Sequence, residues 1–180
     1  MFNLSEIQTA LQNFQIDGWL LYDFRGSNVL AKRVLGLGED AVASRRFLYC
    51  IPAVGEPVKL VHRIESGILD HLPGEKIVYL KWQELEKGIQ QLLSNMKTIA
   101  MEYSPGVSNP YVSKVDAGTL EFVRSLGVNV VSSGDLVQLF EATLDDEMWQ
   151  LHLDAAQLTD RAFDVAWQTI AQGVNDSGGV

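Results

Sequence analysis

Phe47 to Ile51 form an unbroken apolar run, and Val58, Leu60 and Val61 form a second around Lys59, with a connector from Pro52 to Pro57 between them. Prolines at both ends of the connector cannot donate to a ladder, and Gly55 is free to take a positive φ. The pattern therefore predicts two strands joined as a hairpin. A strand apolar on both faces must be covered on both, which puts this hairpin at the centre of a layered α/β domain.

Before the hairpin, Leu4, Ile7, Leu11 and Phe14 recur at helical spacing behind Asn3, with Glu6 placed as in a capping box and Gly18 beyond the end. Trp19 to Tyr22 reads as a short buried strand, and Asp23 to Asn28 as the loop leaving its carboxyl end, the edge of an α/β sheet where ligands bind. Val29 to Leu35 is weakly helical, and Gly36 to Ser44 reads as a flexible, partly acidic loop. After the hairpin, Ile64, Ile68 and Leu69 predict a short helix closed by Pro73 and Gly74. Strands follow at Lys76 to Leu80, Thr98 to Met101 and Val128 to Val131. One helix between them carries Trp82, Leu85, Ile89, Leu92 and Leu93; another opens at Ser113 and carries Val115, Leu120, Phe122, Val123 and Leu126. Glu102 to Tyr111 is turn-rich, and Gly134 to Phe140 is a last short helix. Such alternation implies an α/β fold, a mixed sheet with helices on both faces.

From Asp145 the pattern changes. Met148, Leu151, Ala155, Leu158, Ala162 and Val165 form one helical row beside a second with Trp149, His152, Phe163 and Ile170. A long helix with so wide an apolar face needs a large surface to lie against. The expectation is that Trp149, Phe163 and Ile170 are covered by the chain's own sheet or by a second copy. The boundary falls between a domain over residues 1–143 and a helix over residues 144–180.

Composition narrows the function. With 180 residues at 47% hydrophobic content, the chain can bury one good-sized core. A net charge of -9 argues against nucleic acid as a partner, since phosphate binding needs clustered Lys and Arg. The one cysteine, Cys50, permits no internal disulfide and sits inside an apolar run as a small hydrophobe. The start MFNLSEIQ lacks the basic and apolar parts of a secretory signal, which makes the cytoplasm the expected location. No apolar run approaches the roughly 20 residues that cross a bilayer, so no membrane partner is expected.

Few residues carry chemistry. His62, His71 and His152 fall on different elements with no metal-ligand spacing. Asp145, Asp146 and Glu147 are consecutive, so on a helix they point apart and suit its amino end. Gly36 and Gly38 lack the further glycines and the Lys-Ser/Thr of a phosphate loop, and no Gly-x-Ser-x-Gly elbow is present. What remains is Asp23 and Glu102, each at a strand end. Carboxylates at the ends of sheet strands can hold metals for phosphodiester cleavage. The residues alone thus leave open a metal-dependent nuclease, a small-molecule binding module and a scaffold.

Four segments in order, Arg45 to Glu65 (RRFLYCIPAVGEPVKLVHRIE), Met101 to Pro105, Ser113 to Val123 (SKVDAGTLEFV) and Ala155 to Gly173, resemble the amino-terminal domain of the creatinase, prolidase and Xaa-Pro aminopeptidase family. The resemblance implies ribonuclease H-like topology, followed in that family by a pita-bread catalytic domain. That second domain holds two divalent metals (Mn, Co or Zn) on two aspartates, one histidine and two glutamates. None of those ligands falls within this sequence, so the chain itself is expected to hold no cofactor and to hydrolyse no peptide. The resemblance also implies a homodimer, in which this domain meets its own catalytic domain and lends loops to the neighbouring subunit's active-site mouth, admitting short peptides. The matching loops are Asp23 to Asn28 and Gly36 to Arg45. Arg25 and Arg45 would pair with a substrate carboxylate through a guanidinium fork, Glu39 or Asp40 would attract a free amine, and Asn28 stands in the same gate.

Overall fold

The expected hairpin forms the middle of the sheet. Strands β2 (Phe47–Pro52) and β3 (Val58–His62) pair antiparallel, with Leu48 opposite Leu60 and Cys50 opposite Val58. The computed structural model describes residues 2–38, 41 and 43–176, and it divides into two units, Met1–Ala142 and Thr143–Val180.

The first unit adds β1 (Gly18–Asp23), β4 (Glu75–Tyr79), β5 (Thr98–Met101) and β6 (Asn129–Ser132), giving a mixed sheet of order β4-β3-β2-β1-β5-β6. Strand β1 runs antiparallel to β2 and parallel to β5, so its carboxyl end and that of β5 lie at the same edge. The helices are α1 (Leu4–Asn13), α2 (Val29–Val34), α3 (Trp82–Leu93), α4 (Ala117–Ser125) and α5 (Gly134–Glu141).

Because successive strand residues point to opposite faces, the apolar strands feed two separate cores. Trp19, Leu21, Phe47, Tyr49 and Ile51 pack with Leu11 of α1, Ala31 of α2 and Leu136 of α5. Leu20, Tyr22, Leu48, Cys50 and Leu60 pack with Leu85 and Ile89 of α3 and Leu120 and Val123 of α4. Lys59, which interrupts the second apolar run, is buried and donates from Nζ to the Leu72 carbonyl at 2.7 Å.

Two expectations are corrected. Ile64, Ile68 and Leu69 do not make an α-helix: the chain forms one 3₁₀ turn (Arg63–Glu65) and then irregular turns, with Ile64 left 67% exposed. The helix expected from Ser113 begins only at Ala117. There Asp116 caps it, accepting from the Thr119 amide at 2.9 Å, while the amides of Lys114 and Val115 bond instead to the Glu102 carbonyl. Gly18 lies beyond the end of α1, as read, and is the first residue of β1, where a Cβ would stand 2.9 Å from Met96 Sδ.

In the second unit, α6 spans Asp146–Asp176 and is capped by Asp145, whose Oδ1 accepts from the Met148 amide at 2.8 Å. Trp149, Phe163 and Ile170 are exposed, and no residue of α6 is buried.

Two glycines test the hairpin packing. Both Gly55 and Gly74 have positive φ, but a Cβ at Gly55 meets nothing, whereas one at Gly74 lands on the Pro57 carbonyl. Gly55→Ala should cost about 1 kcal/mol, the left-handed penalty alone, and Gly74→Ala about 3 kcal/mol or more, as measured by urea unfolding. Equal costs would refute the tight Gly74 to Pro57 contact.

Candidate functional site

The carboxyl ends of β1 and β5 carry the two acidic residues singled out by sequence, and both are fully buried. Glu102 is held by two donors: Trp19 Nε1 at 2.6 Å on Oε1, and Asn28 Nδ2 at 2.7 Å on Oε2. Asn28 Nδ2 also donates to the Tyr22 carbonyl at 2.8 Å, and its Oδ1 caps α2 by accepting from the Ala31 amide at 3.0 Å. Asp23 accepts from the amides of Asn28 at 2.8 Å and Gly26 at 2.9 Å. The network therefore folds the loop after β1 into one shape, with Arg25 and Gly26 both at positive φ and the Arg25 side chain exposed.

This geometry sorts the expected site residues. Asn28 is buried and its side-chain amide is committed at both ends, so it shapes the loop. Arg45 is exposed, and its amide donates to Glu65 Oε2 at 3.0 Å. Partial burial acts to raise the Glu65 pKa, but the Ser44 hydroxyl and the Arg45 and Ser44 amides pull it below the ordinary value, so it anchors this loop as an anion. Glu39 and Asp40 lie outside the described residues. Arg46 is exposed, with its guanidinium 5.4 Å from the centre of the Phe24 ring.

The strand-end carboxylates do not form a metal pair. Each presents its oxygens to protein N–H groups, and among the described residues no group of three or more His, Cys, Asp and Glu is placed to hold an ion. The histidines are separately employed. His62 Nδ1 accepts from the Ile64 amide at 3.1 Å, His71 Nε2 lies 2.9 Å from the Leu35 carbonyl, and His152 stacks on Trp149. Sequence reasoning missed Trp19 and Ser133. The signal for Trp19 was available: a buried indole N–H needs an acceptor, and Glu102 ends the strand next to its own.

Burial pushes the Glu102 carboxyl up to about 7, against the hydrogen bonds from Trp19 and Asn28 that favour its charged form. The Ser133 hydroxyl lies close enough to act on it, yet makes no hydrogen bond of good geometry. Unfolded, the group titrates near 4.5. Between those values the native state keeps a proton that the unfolded chain has lost. Stability therefore falls as pH rises across that window, by on the order of 3 kcal/mol in all. Asp17, lowered by the amides of Thr98 and Lys97, gives the opposite slope at more acid pH. Urea unfolding near pH 5 and near pH 8 should show wild type losing more stability than Glu102→Gln. Parallel losses would mean that Glu102 does not titrate there.

No protein-family model matches the sequence, and no curated protein is detectably similar to it. Solved structures are. The creatinase/prolidase N-terminal domain of an X-Pro dipeptidase from Streptococcus pyogenes superposes with a TM-score of 0.57 at 16% identity, over 75% of this chain and 95% of that one. A proline dipeptidase from Streptococcus pneumoniae gives 0.57 at 16% identity, over 80% of this chain and 100% of that one. A dipeptidase from Pyrococcus horikoshii gives 0.59 at 16% identity, over 92% of this chain but only 43% of that one. Coverage of 92% is more than Met1–Ala142 can supply, so the aligned residues include part of α6. With its six strands in this order and helices on both faces, the chain has the fold of the creatinase/prolidase N-terminal domain.

Proposed function

We propose that this chain is the non-catalytic amino-terminal part of an Xaa-Pro dipeptidase-like or aminopeptidase-like hydrolase of the cytoplasm. In this reading it helps to build a homodimer and restricts a neighbouring active site to short peptides. The observation that carries the proposal is the likeness of the fold to N-terminal domains of X-Pro dipeptidases, together with coverage of 43% of a whole dipeptidase chain. The chemistry and its two divalent metals would belong to sequence outside this chain. The domain's own strand-end carboxylates are sealed in and spent on holding a loop. Exposed apolar residues along α6, Trp149, Phe163 and Ile170 among them, support a role that involves a covering partner.

The gate is assigned to the exposed cations of the two loops. Arg25 stands on the rim of a hollow of about 570 Å³ that it shares with Arg46 and Lys114, a setting suited to a peptide carboxylate. Arg45 is exposed on the second loop, with its backbone fixed by Glu65. Glu39 and Asp40 would meet the free amine.

The test uses the protein encoded by the complete reading frame, assayed with Xaa-Pro dipeptides and longer peptides in the presence of manganese. Arg25→Ala or Arg45→Ala should raise KM about tenfold, the worth of one charge-assisted hydrogen bond, with kcat little changed. If neither substitution alters KM or peptide-length preference, the gate is refuted. If the complete protein cleaves no Xaa-Pro peptide, the whole assignment fails.

A further inference from the structure

Buried hydroxyl groups almost always have a hydrogen-bond partner, and an orphan costs about 1–3 kcal/mol. Tyr22 breaks that rule. Its side chain is 2% exposed, and its hydroxyl is sealed from water with no hydrogen bond. Asp116 and Thr119 lie close enough to act on it as hydrogen-bonding groups, yet neither makes a bond of good geometry with it, while Thr119 Oγ1 donates to Asp116 Oδ2 at 2.7 Å.

The orphan stands at the wall of a hollow. Tyr22 lines a space of about 260 Å³ over the sheet between α3 and α4, walled by Leu48, Leu85, Ile89 and Phe122, with the exposed indole of Trp82 at its edge. Arg46 lines the same space and makes no salt bridge among the described residues. The adjoining larger hollow shares Tyr22, Arg46 and Asp116 and adds Arg25 and Lys114. Three cations thus gather at one place on a chain whose net charge is -9. This is the composition of a ligand site, apolar walls with a few convergent polar groups.

We propose that this hollow binds a small carboxylate with an apolar or aromatic body, the carboxylate taken by the Tyr22 hydroxyl and the Arg46 guanidinium and the body by Leu85, Ile89 and Phe122. Burial raises the Tyr22 phenol above its ordinary value, so it is a donor at neutral pH, suited to an anionic acceptor. A single negative charge fits better than a phosphate, because Asp116 and Glu86 line the same space and would repel a dianion. Arg46 is a long, exposed side chain that lines the same space. The site lies on the sheet face of α3 and α4, opposite the core that holds the Glu102 network, and does not depend on the peptidase reading.

The probe is N-acetyl-L-phenylalanine, added up to ~10 mM to the isotope-labelled chain and followed by amide and indole NMR shifts, a range that reaches Kd values near 1 mM. Saturable shifts are expected at Tyr22, Arg46, Thr119 and the Trp82 indole. The corresponding amide, which lacks the charge, and acetate, which lacks the body, should bind at least about tenfold more weakly, and Arg46→Gln should weaken the acid by about tenfold. Tyr22→Phe should weaken it several-fold while leaving stability unchanged or raised, since an orphan is removed. No saturation with the acid, equal binding of acid and amide, or inorganic phosphate binding more tightly than the acid would overturn the proposal. So would a loss of stability in Tyr22→Phe, which would reveal a partner inside the fold.

Discussion

The placement of a carboxylate inside the protein organises this domain. Glu102 follows β5 with no exposed surface, and its two oxygens take hydrogen bonds of 2.6 Å from Trp19 and 2.7 Å from Asn28. Those donors come from the start of β1 and from the cap of α2, so one side chain ties the end of β5 to a strand and a helix start more than 70 residues earlier. Asn28 passes the constraint on, through its amide to Asp23 and through its Oδ1 to the first turn of α2. Donors this short mark charge-assisted bonds, which favour the anion, whereas burial without a cation favours the acid. Burial outweighs the hydrogen bonds, which is why the group is raised to about 7 rather than held at the ordinary carboxylate value.

The period of a β-strand separates this rigid device from the open hollow. Trp19 and Leu21 face the core of α1, α2 and α5, while Leu20 and Tyr22 face that of α3 and α4. Consecutive residues of one strand therefore serve two surfaces with different demands. On the first, a polar network is enclosed, with Trp19 and Asn28 donating to Glu102. On the second, α3 and α4 stand apart enough to leave the hollow above Tyr22, and polar groups there remain unmatched.

The sheet was legible because its strands are written as short apolar runs bounded by proline, glycine and aspartate, and burial leaves such runs few alternatives. The helix read at Ile64 failed because its apolar residues were too few to make a buried face. The segment instead uses His62 and Glu65 as side-chain anchors for turns. The helix read from Ser113 started late because the Glu102 carbonyl captured the amides of Lys114 and Val115, a long-range bond that local pattern does not encode. Asp23 and Glu102 were found as a pair, but their use was not. Two carboxylates at strand ends look alike in sequence whether they face metal ions or amides. Asn28, read as a contact residue, carries the same ambiguity: asparagine caps helices and lines binding loops equally well. Burial alone separates the readings.

Two orphaned hydroxyls remain in the first unit, Ser133 and Tyr22, and they call for different explanations. Ser133 lies beside Glu102, whose oxygens already accept from Trp19 and Asn28. The serine hydroxyl lies close enough to act as a donor that favours the charged carboxylate, without a bond of good geometry. Tyr22 is placed differently, between the Asp116 carboxylate and the Arg46 guanidinium and without a hydrogen bond of good geometry. In the proposal above, an incoming carboxylate supplies that acceptor and Arg46 offsets its charge.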